Sequence, residues 1–437
     1  MDFFKSRRWF RFLFIASMAI TVGVVIFDWW LMNQGQIDSD KNKYLVAGRL
    51  FGFVAAWSML LQVVLMSRIP AIEENIDLQE NLKLHKYNGY FTVFGTLGHV
   101  VFTVLGYNLK NENLVDTFVN MNNNIENILQ ATIGVIILFI VVFVTLKFVK
   151  KHLNYELWYF LHLTLYVSIL LTFLHQVSSG ADFKDNYWFT AYWYGLYALV
   201  FLLWIWHRVM RPIIYDIYHG FKINSIVENG ANTYTVTIKG NNIEKFHYKA
   251  GQYATWRIIA PGVWYQAHPF SFTSAPGQDY LQFTFKSAPS FTDKAKNIKP
   301  GTRIILDGPR GNFTIDRAEK SQNIVLVAGG IGLAPFISTI GQFLDLGKKV
   351  TLLYAVKTRE NISFADTLTN FEKKGLTKKI FVDSENTFID KDVLTQYCTL
   401  GTTVYICGPD AMSSALSRAL LEIGLPEDHI ITERFSY

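Results

Sequence analysis

The chain has 437 residues, of which 50% are hydrophobic and 17% charged, with a formal net charge of +6. That length allows two or three domains, and no interleaving of basic and aromatic residues suggests a nucleic-acid surface, so nucleic-acid binding is excluded. The two cysteines, Cys398 and Cys407, supply neither a disulfide framework nor a tetrahedral metal site.

The apolar residues concentrate in the first half. Phe10–Met32, Leu45–Met66, Tyr87–Tyr107, Ile128–Phe148, Leu157–Val177 and Trp188–Met210 each hold about twenty mostly apolar positions, the length of a bilayer span, and predict six transmembrane helices. The first follows a basic leader (Lys5, Arg7, Arg8, Arg11). It is long and lacks a small-residue cleavage pattern, which favours a membrane helix over a signal peptide. Twelve Lys and Arg residues flank the spans on the side of the leader, including Arg68, Lys83, Lys86, Lys147, Lys150, Lys151, Arg208 and Arg211. The opposite loops hold four, Lys41, Lys43, Lys110 and Lys184. The expectation is a multi-pass plasma-membrane protein with both termini in the cytoplasm.

Paired histidines lie in or at the edge of two of these segments, the third and the fifth. His85 and His99 are fourteen residues apart, about 3.9 turns and about 21 Å along a helix, so they share one face. His162 and His175 are thirteen apart, about 3.6 turns, which rotates the second imidazole well away from the first in an ideal helix. A single intramembrane histidine serves as readily for a hydrogen bond as for a ligand; four at matched depth favour ligation. The third and fifth spans run the same way, so His85 should face His162 near the cytoplasm and His99 should face His175 near the outer surface. Each pair would hold one six-coordinate haem.

From about Pro212 the texture changes. Thr233–Lys239, Gln252–Ile259, Tyr280–Lys286 and Thr302–Asp307 are alternating or β-branched runs separated by turn residues, as in an antiparallel β-barrel. After about Thr314 the apolar strands Asn323–Ala328, Lys349–Ala355, Lys378–Val382 and Thr402–Ile406 each precede a helical stretch, which predicts a doubly wound α/β domain. The domain limits read as 1–212, 213–315 and 316–437.

Three motifs stand out in the polar half. His268-Pro269-Phe270-Ser271-Phe272-Thr273-Ser274-Ala275-Pro276 offers a cation-capable ring, an aromatic face and three hydroxyls, enough to position a phosphate and a flat heterocycle, although such a strand also serves as ordinary core. Nearby, Ser290 precedes a predicted helix, where it can cap and leave N–H groups for an anion. Gly329-Gly330-Ile331-Gly332-Leu333-Ala334-Pro335 joins a strand to a helix, and its glycines let the backbone approach a pyrophosphate; Pro335 replaces the usual third glycine. Cys407-Gly408-Pro409 ends a strand at the carboxyl edge, where open α/β sheets bind ligands.

Taken together, the HPFSFTSAP stretch, the GGIGLAP turn, the CGP strand end and the paired histidines resemble the ferric reductase superfamily, with its ferredoxin-reductase-like C-terminal half. Within it the chain looks like a bacterial NADPH oxidase homologue, over nearly its full length. The resemblance implies two haems b on His85, His99, His162 and His175. It implies FAD held by His268 at the phosphates, Phe270 beside the isoalloxazine, Ser271 near the reactive nitrogen and Thr292 at the pyrophosphate, with Pro269, Thr273 and Ser274 in the same motif. Gly329, Gly330, Gly332 and Pro335 match the dinucleotide turn, and Cys407, Gly408 and Pro409 flank the nicotinamide. Phe435 would cover the flavin ring, with Tyr437 as the rival. Arg49 would lie by the outer haem, with interfacial snorkelling as the alternative; Arg68 would pair with inner propionates or act as a cytoplasmic anchor. Lys357 and Arg359 sit where a 2′-phosphate would lie, which suits NADPH and leaves NADH open. The implied activity moves electrons from NAD(P)H through FAD and the haems to extracellular O2, giving superoxide. Ferric or cupric ion is the alternative acceptor, and a membrane-anchored flavoprotein without haem is a third reading. The sequence contains no calcium-binding loop, so no obligatory protein activator is expected.

Overall fold

The computed structural model describes residues 7–35, 40–76, 78–108, 113–184, 186–230, 232–287, 294 and 297–434. It comprises two compact units, Met1–Arg208 and Val209–Tyr437.

The first unit is helical: α1 (Arg7–Asn33), α2 (Asp40–Met66), α3 (Pro70–Asn75), α4 (Leu78–Tyr107), α5 (Leu114–Asn124), α6 (Ile128–Thr145), α7 (Lys147–Lys150), α8 (Tyr155–Leu163), α9 (Leu165–Ser179), α10 (Ala181–Lys184) and α11 (Tyr187–Ile205), then a π turn over Trp206–Met210. Among the described residues, six helical stretches are long and apolar enough to cross a membrane. Their interior is built on Val25, Leu60, Ile169, Trp193 and Val200, while Phe91, Phe94 and Leu199 stay exposed on the outside of the bundle, as a lipid-facing surface requires. α4 begins nine residues before the apolar run from Tyr87 that marks the third span. Gln79, Glu80 and Lys83 are good helix formers, and the Arg11–Glu80 ion pair at 2.7 Å ties this extension to α1. His85 therefore lies inside a continuous helix.

The fifth span is not uniform. Between α8 and α9 the Thr164 N–H donates to Leu161 O at 3.1 Å, and its hydroxyl donates to the same carbonyl at 2.6 Å. An i→i−3 turn winds more tightly than an α turn, adding about 60° over one turn. That removes part of the about 140° by which a thirteen-residue α-helical step misses one face.

The second unit opens with α12 (Arg211–His219). β1 (Lys222–Glu228), β2 (Thr233–Lys239), β3 (Tyr253–Ile258), β4 (His268–Ser271), β5 (Leu281–Lys286) and β6 (Ile304–Arg310) form two three-stranded antiparallel sheets, ordered β1-β2-β5 and β4-β3-β6. Bridges at Phe272↔Phe283 and Lys222↔Arg303 link them, around a shared core of Val236, Trp256, Phe272 and Phe283. β1 and β4 are absent from the strands expected by alternation: Asn224 and Ser225 interrupt one, and Pro269 the other.

β7 (Asn323–Gly329), β8 (Lys349–Val356), β9 (Thr377–Val382), β10 (Thr403–Gly408) and β11 (Ile430–Arg434) form a parallel sheet in the order β11-β10-β7-β8-β9. α13 (Ala334–Asp345) and α14 (Ala365–Lys373) cover one face through Phe336, Phe343 and Leu368. α15 (Lys391–Tyr397) and α16 (Asp410–Glu422) cover the other through Leu394, Leu416 and Leu420. From β7 the chain adds β8 and β9 on one side, then β10 and β11 on the other. The crevice of this doubly wound sheet lies above the carboxyl ends of β7 and β10.

Candidate redox sites

In the helical unit the four histidines meet as two pairs. The ring centroids of His85 and His162 are 6.0 Å apart, and so are those of His99 and His175. Two imidazoles sharing one metal, at about 2.0–2.1 Å per metal–nitrogen bond, have centroids about 6 Å apart, so the separations fit a six-coordinate iron. The rings are prepared differently. His99 Nδ1 lies 2.8 Å from Gly48 O. Among the described residues His162 Nδ1 has no hydrogen-bond partner, while His85 and His175 make only loose approaches to the backbones of Gln62 and Thr172. Trp158 stacks on His162 at 5.3 Å.

A cavity of about 190 Å³ opens beside the His99–His175 pair, with Leu45, Phe53, Met121 and Ile128 in its wall. Arg49 lines the same cavity. Its guanidinium donates to Asn33 Oδ1 at 3.1 Å and approaches Asp182 Oδ1 at 3.5 Å, both partners being buried. Burial pushes the Asp182 carboxyl up, and Arg49 and then Asn33 draw it back down. Arg49 is thus held in place by polar partners. Arg68 follows α2 in a left-handed conformation, at φ 60°.

In the second unit β4 carries the expected flavin residues. His268, Phe270 and Ser271 face Trp256, Ala254 and Tyr253 of β3. His268 lies 3.3 Å from Gln266 Oε1, and Phe270 stacks on Phe283 at 5.1 Å and 6° between planes. Ser271 is buried, and its hydroxyl has no hydrogen-bond partner among the described residues, which fits a strand that completes its bonding with a ligand. Pro269 occupies the ladder opposite Thr255. Thr273 and Ser274 are engaged internally: Thr273 Oγ1 lies 3.4 Å from Thr284 Oγ1, and Ser274 Oγ meets the Tyr248 hydroxyl at 2.8 Å and accepts from Gln282 N. These two hydroxyls hold the strand. Ser290 and Thr292 lie outside the described residues.

The α/β motifs converge at the crevice. Gly408 packs so closely that a Cβ there would come within 3.1 Å of Gly329 Cα, and a Cβ on Gly332 would meet Cys407 O at 2.1 Å. Gly330 is left-handed, at φ +54°, with open space where its side chain would be, so the turn offers its backbone to a ligand. Pro335 stands in the first turn of α13, where its missing N–H is no loss. Cys407 is fully buried; desolvation and then Glu433 push its thiol well above the ordinary value, so it contributes shape rather than a thiolate. Pro409 caps α16. After β8, Arg359 is engaged by Glu385 through contacts of 2.5 and 2.8 Å, whereas Lys357 is exposed. Phe435 and Tyr437 lie outside the described residues.

Sequence reasoning missed Tyr253 and Arg310, and it met Glu433 only within the Glu433-Arg434-Phe435 terminal segment, without a role of its own. Tyr253 pairs with both Ser271 and Arg310. Arg310 is buried against Asp307. β11 sets Glu433 directly opposite Cys407, and its carboxylate reaches the edge of the Gly311–Tyr253 contact. For Arg310 the available signal was a strand running into Asp-Gly-Pro-Arg-Gly.

A family model described as a ferric reductase-like transmembrane component matches residues 51–173, one described as an FAD-binding domain matches 218–314, and one described as an oxidoreductase NAD-binding domain matches 326–418. Sulfhydrogenase 2 subunit gamma of Pyrococcus furiosus is 30% identical over 211 residues, covering 43% of this chain and 72% of that one. Flavohemoprotein A of Dictyostelium discoideum is 28% identical, covering 38% of this chain and 46% of that protein. A probable respiratory burst oxidase homolog protein I of Arabidopsis thaliana is 28% identical over 43% of this chain and 22% of its own length. The chain thus spans less than half of these last two proteins. Apolar spans followed by FAD- and NAD-binding domains define a transmembrane NAD(P)H-dependent flavin oxidoreductase. The chain belongs to the ferric reductase and NADPH oxidase superfamily.

Proposed function

We propose that the protein is a plasma-membrane NAD(P)H oxidase that moves electrons from cytosolic NAD(P)H through FAD and two bis-histidine haems b to extracellular O2, releasing superoxide. The observation that carries this reading is the pair of equal 6.0 Å histidine separations, two stations bridging the same two spans. When bound, FAD supplies the change from two-electron to one-electron transfer, and a haem with both axial positions filled supplies one-electron transfer without an open site for the acceptor.

The residues then divide the work. The glycine turn at 329–332 and the first turn of α13 bind the pyrophosphate of the nicotinamide cofactor, and Cys407 and Gly408 give its ring a closely packed floor. Lys357 is the cation available to a 2′-phosphate, and Arg359 would join it only by leaving Glu385. Phe270 and Ser271 orient the flavin. Phe435, one residue beyond Arg434 of β11, is the proposed lid, with Tyr437 as the rival. At the outer station the cavity is lined mainly by apolar side chains, with Arg49 as its cation. Such surroundings suit a small neutral acceptor and the anion it becomes better than a hydrated metal ion.

The test is a pair of measurements on the purified holoprotein. A dithionite-reduced sample should show the sharp bands of six-coordinate haem, and NAD(P)H in air should drive dye reduction that superoxide dismutase abolishes. A sample without haem bands would leave only a flavoprotein. Dismutase-insensitive activity with fast anaerobic reduction of ferric chelate would make the metal ion the acceptor.

A further inference from the structure

The seam between α2 and α4 treats the two histidines of α4 differently. Positions along the helices alternate in register: Gly48 lies against Thr103, Gly52 against His99 and Ala55 against Gly95. A Cβ added to Gly52 would stand 2.7 Å from His99 Nδ1, 3.0 Å from Cε1 and 3.2 Å from Cγ, so the His99 ring occupies the space a side chain would take. One turn away, Gly48 O lies 2.8 Å from His99 Nδ1. A carbonyl only accepts, so this contact requires Nδ1–H and leaves the lone pair on Nε2. At the other end of α4, His85 Nδ1 makes only a loose approach to the Gln62 backbone of α2, short of a well-formed hydrogen bond.

We propose that Gly48 and Gly52 are positioning residues for the outer haem: Gly52 by admitting the His99 ring against α2, and the Gly48 carbonyl by fixing the tautomer that presents Nε2 to the iron. The inference rests on the two-haem reading above. A backbone acceptor on the outer nitrogen of a ligating imidazole increases the basicity of the ligand and holds the ring against rotation. Well formed at His99 and only loose at His85 and His175, it makes the two stations chemically unequal.

The test compares Gly52→Ala with Gly195→Ala in the full-length, haem- and FAD-loaded protein. Gly195 lies in α11, and a Cβ added there would meet nothing within 4 Å, so it controls for a methyl group added to a membrane helix. Haem per FAD is expected to fall from two towards one in Gly52→Ala and to stay at two in Gly195→Ala, while NAD(P)H still reduces the flavin in both. Gly52→Ala that keeps two haems with an unshifted midpoint potential at each overturns the proposal. Should that variant not fold, the wild-type protein decides. Electron spin-echo envelope modulation of its ferric haems reads the remote imidazole nitrogens, and one of the four should carry a markedly stronger hydrogen bond than the rest; four equivalent nitrogens overturn the proposal. Wild-type protein with no haem at all would instead remove the two-haem reading on which it stands.

Discussion

Ser271 is a buried hydroxyl with no hydrogen-bond partner among the described residues, beside two neighbours in the same motif, Thr273 and Ser274, whose hydroxyls have partners within the strand's surroundings. The three look alike in sequence and differ because β4 ends at Ser271 and the chain then turns inward to β5. Ser271→Ala should retain FAD yet slow its reduction by NAD(P)H about tenfold, the equivalent of about 1.4 kcal/mol of barrier. Anaerobic stopped-flow absorbance checks this, and an unchanged rate would mean that the hydroxyl does not face the flavin. Arg49 teaches the same lesson. Family resemblance led us to expect it beside the His99–His175 pair, whose cavity it lines, but its partner Asp182 is 133 residues away in sequence, and no local pattern announces that distance.

At the scale of elements, alternation identified most strands that pack on one regular face, and it failed where a strand has another task. β4 contains Pro269 and stands at the edge of its sheet. β11 is short and draws its identity from pairing with β10, which places Glu433 opposite Cys407. The fifth span was legible as a membrane helix but not as two segments, because the tightening at Thr164 depends on one hydroxyl folding back onto Leu161 O. The glycine turn was the most readable element, and its packing gives it a firm consequence. Gly332→Ala would force a methyl group into Cys407 O, so the ends of β7 and β10 would have to separate at a cost of about 1–3 kcal/mol. NAD(P)H affinity should fall severalfold while FAD content is unchanged, as titration calorimetry with a nicotinamide dinucleotide would show; loss of both cofactors together would indicate general misfolding instead.

For the whole molecule, the twelve-to-four distribution of Lys and Arg around the spans leads us to propose that both termini are cytoplasmic. Both native cysteines are buried, and burial pushes the Cys398 thiol up to about 12, so single reporter cysteines can be read against a quiet background. A membrane-impermeant maleimide applied to intact cells should label Asn124→Cys, in the segment before α6, and leave Lys151→Cys, before α8, unlabelled until the cells are opened. The reverse pattern would invert the topology and place the dinucleotide sites outside.

The sequence alone determined what depends on local pattern and composition: the spans by their apolar length, the parallel sheet by its buried strand runs, the phosphate turn by its glycines, and the four histidines by their presence in an apolar setting. Only the tertiary structure decided what depends on neighbours distant in the chain. It set both histidine pairs at one separation despite unequal spacing, seated His99 against Gly52, held Arg49 with Asn33 and Asp182, and brought Glu433 to Cys407. Helical and strand periodicities are encoded every few residues, whereas a contact across a seam exists only once two helices have chosen their register, and that choice is made by the packing of both surfaces together.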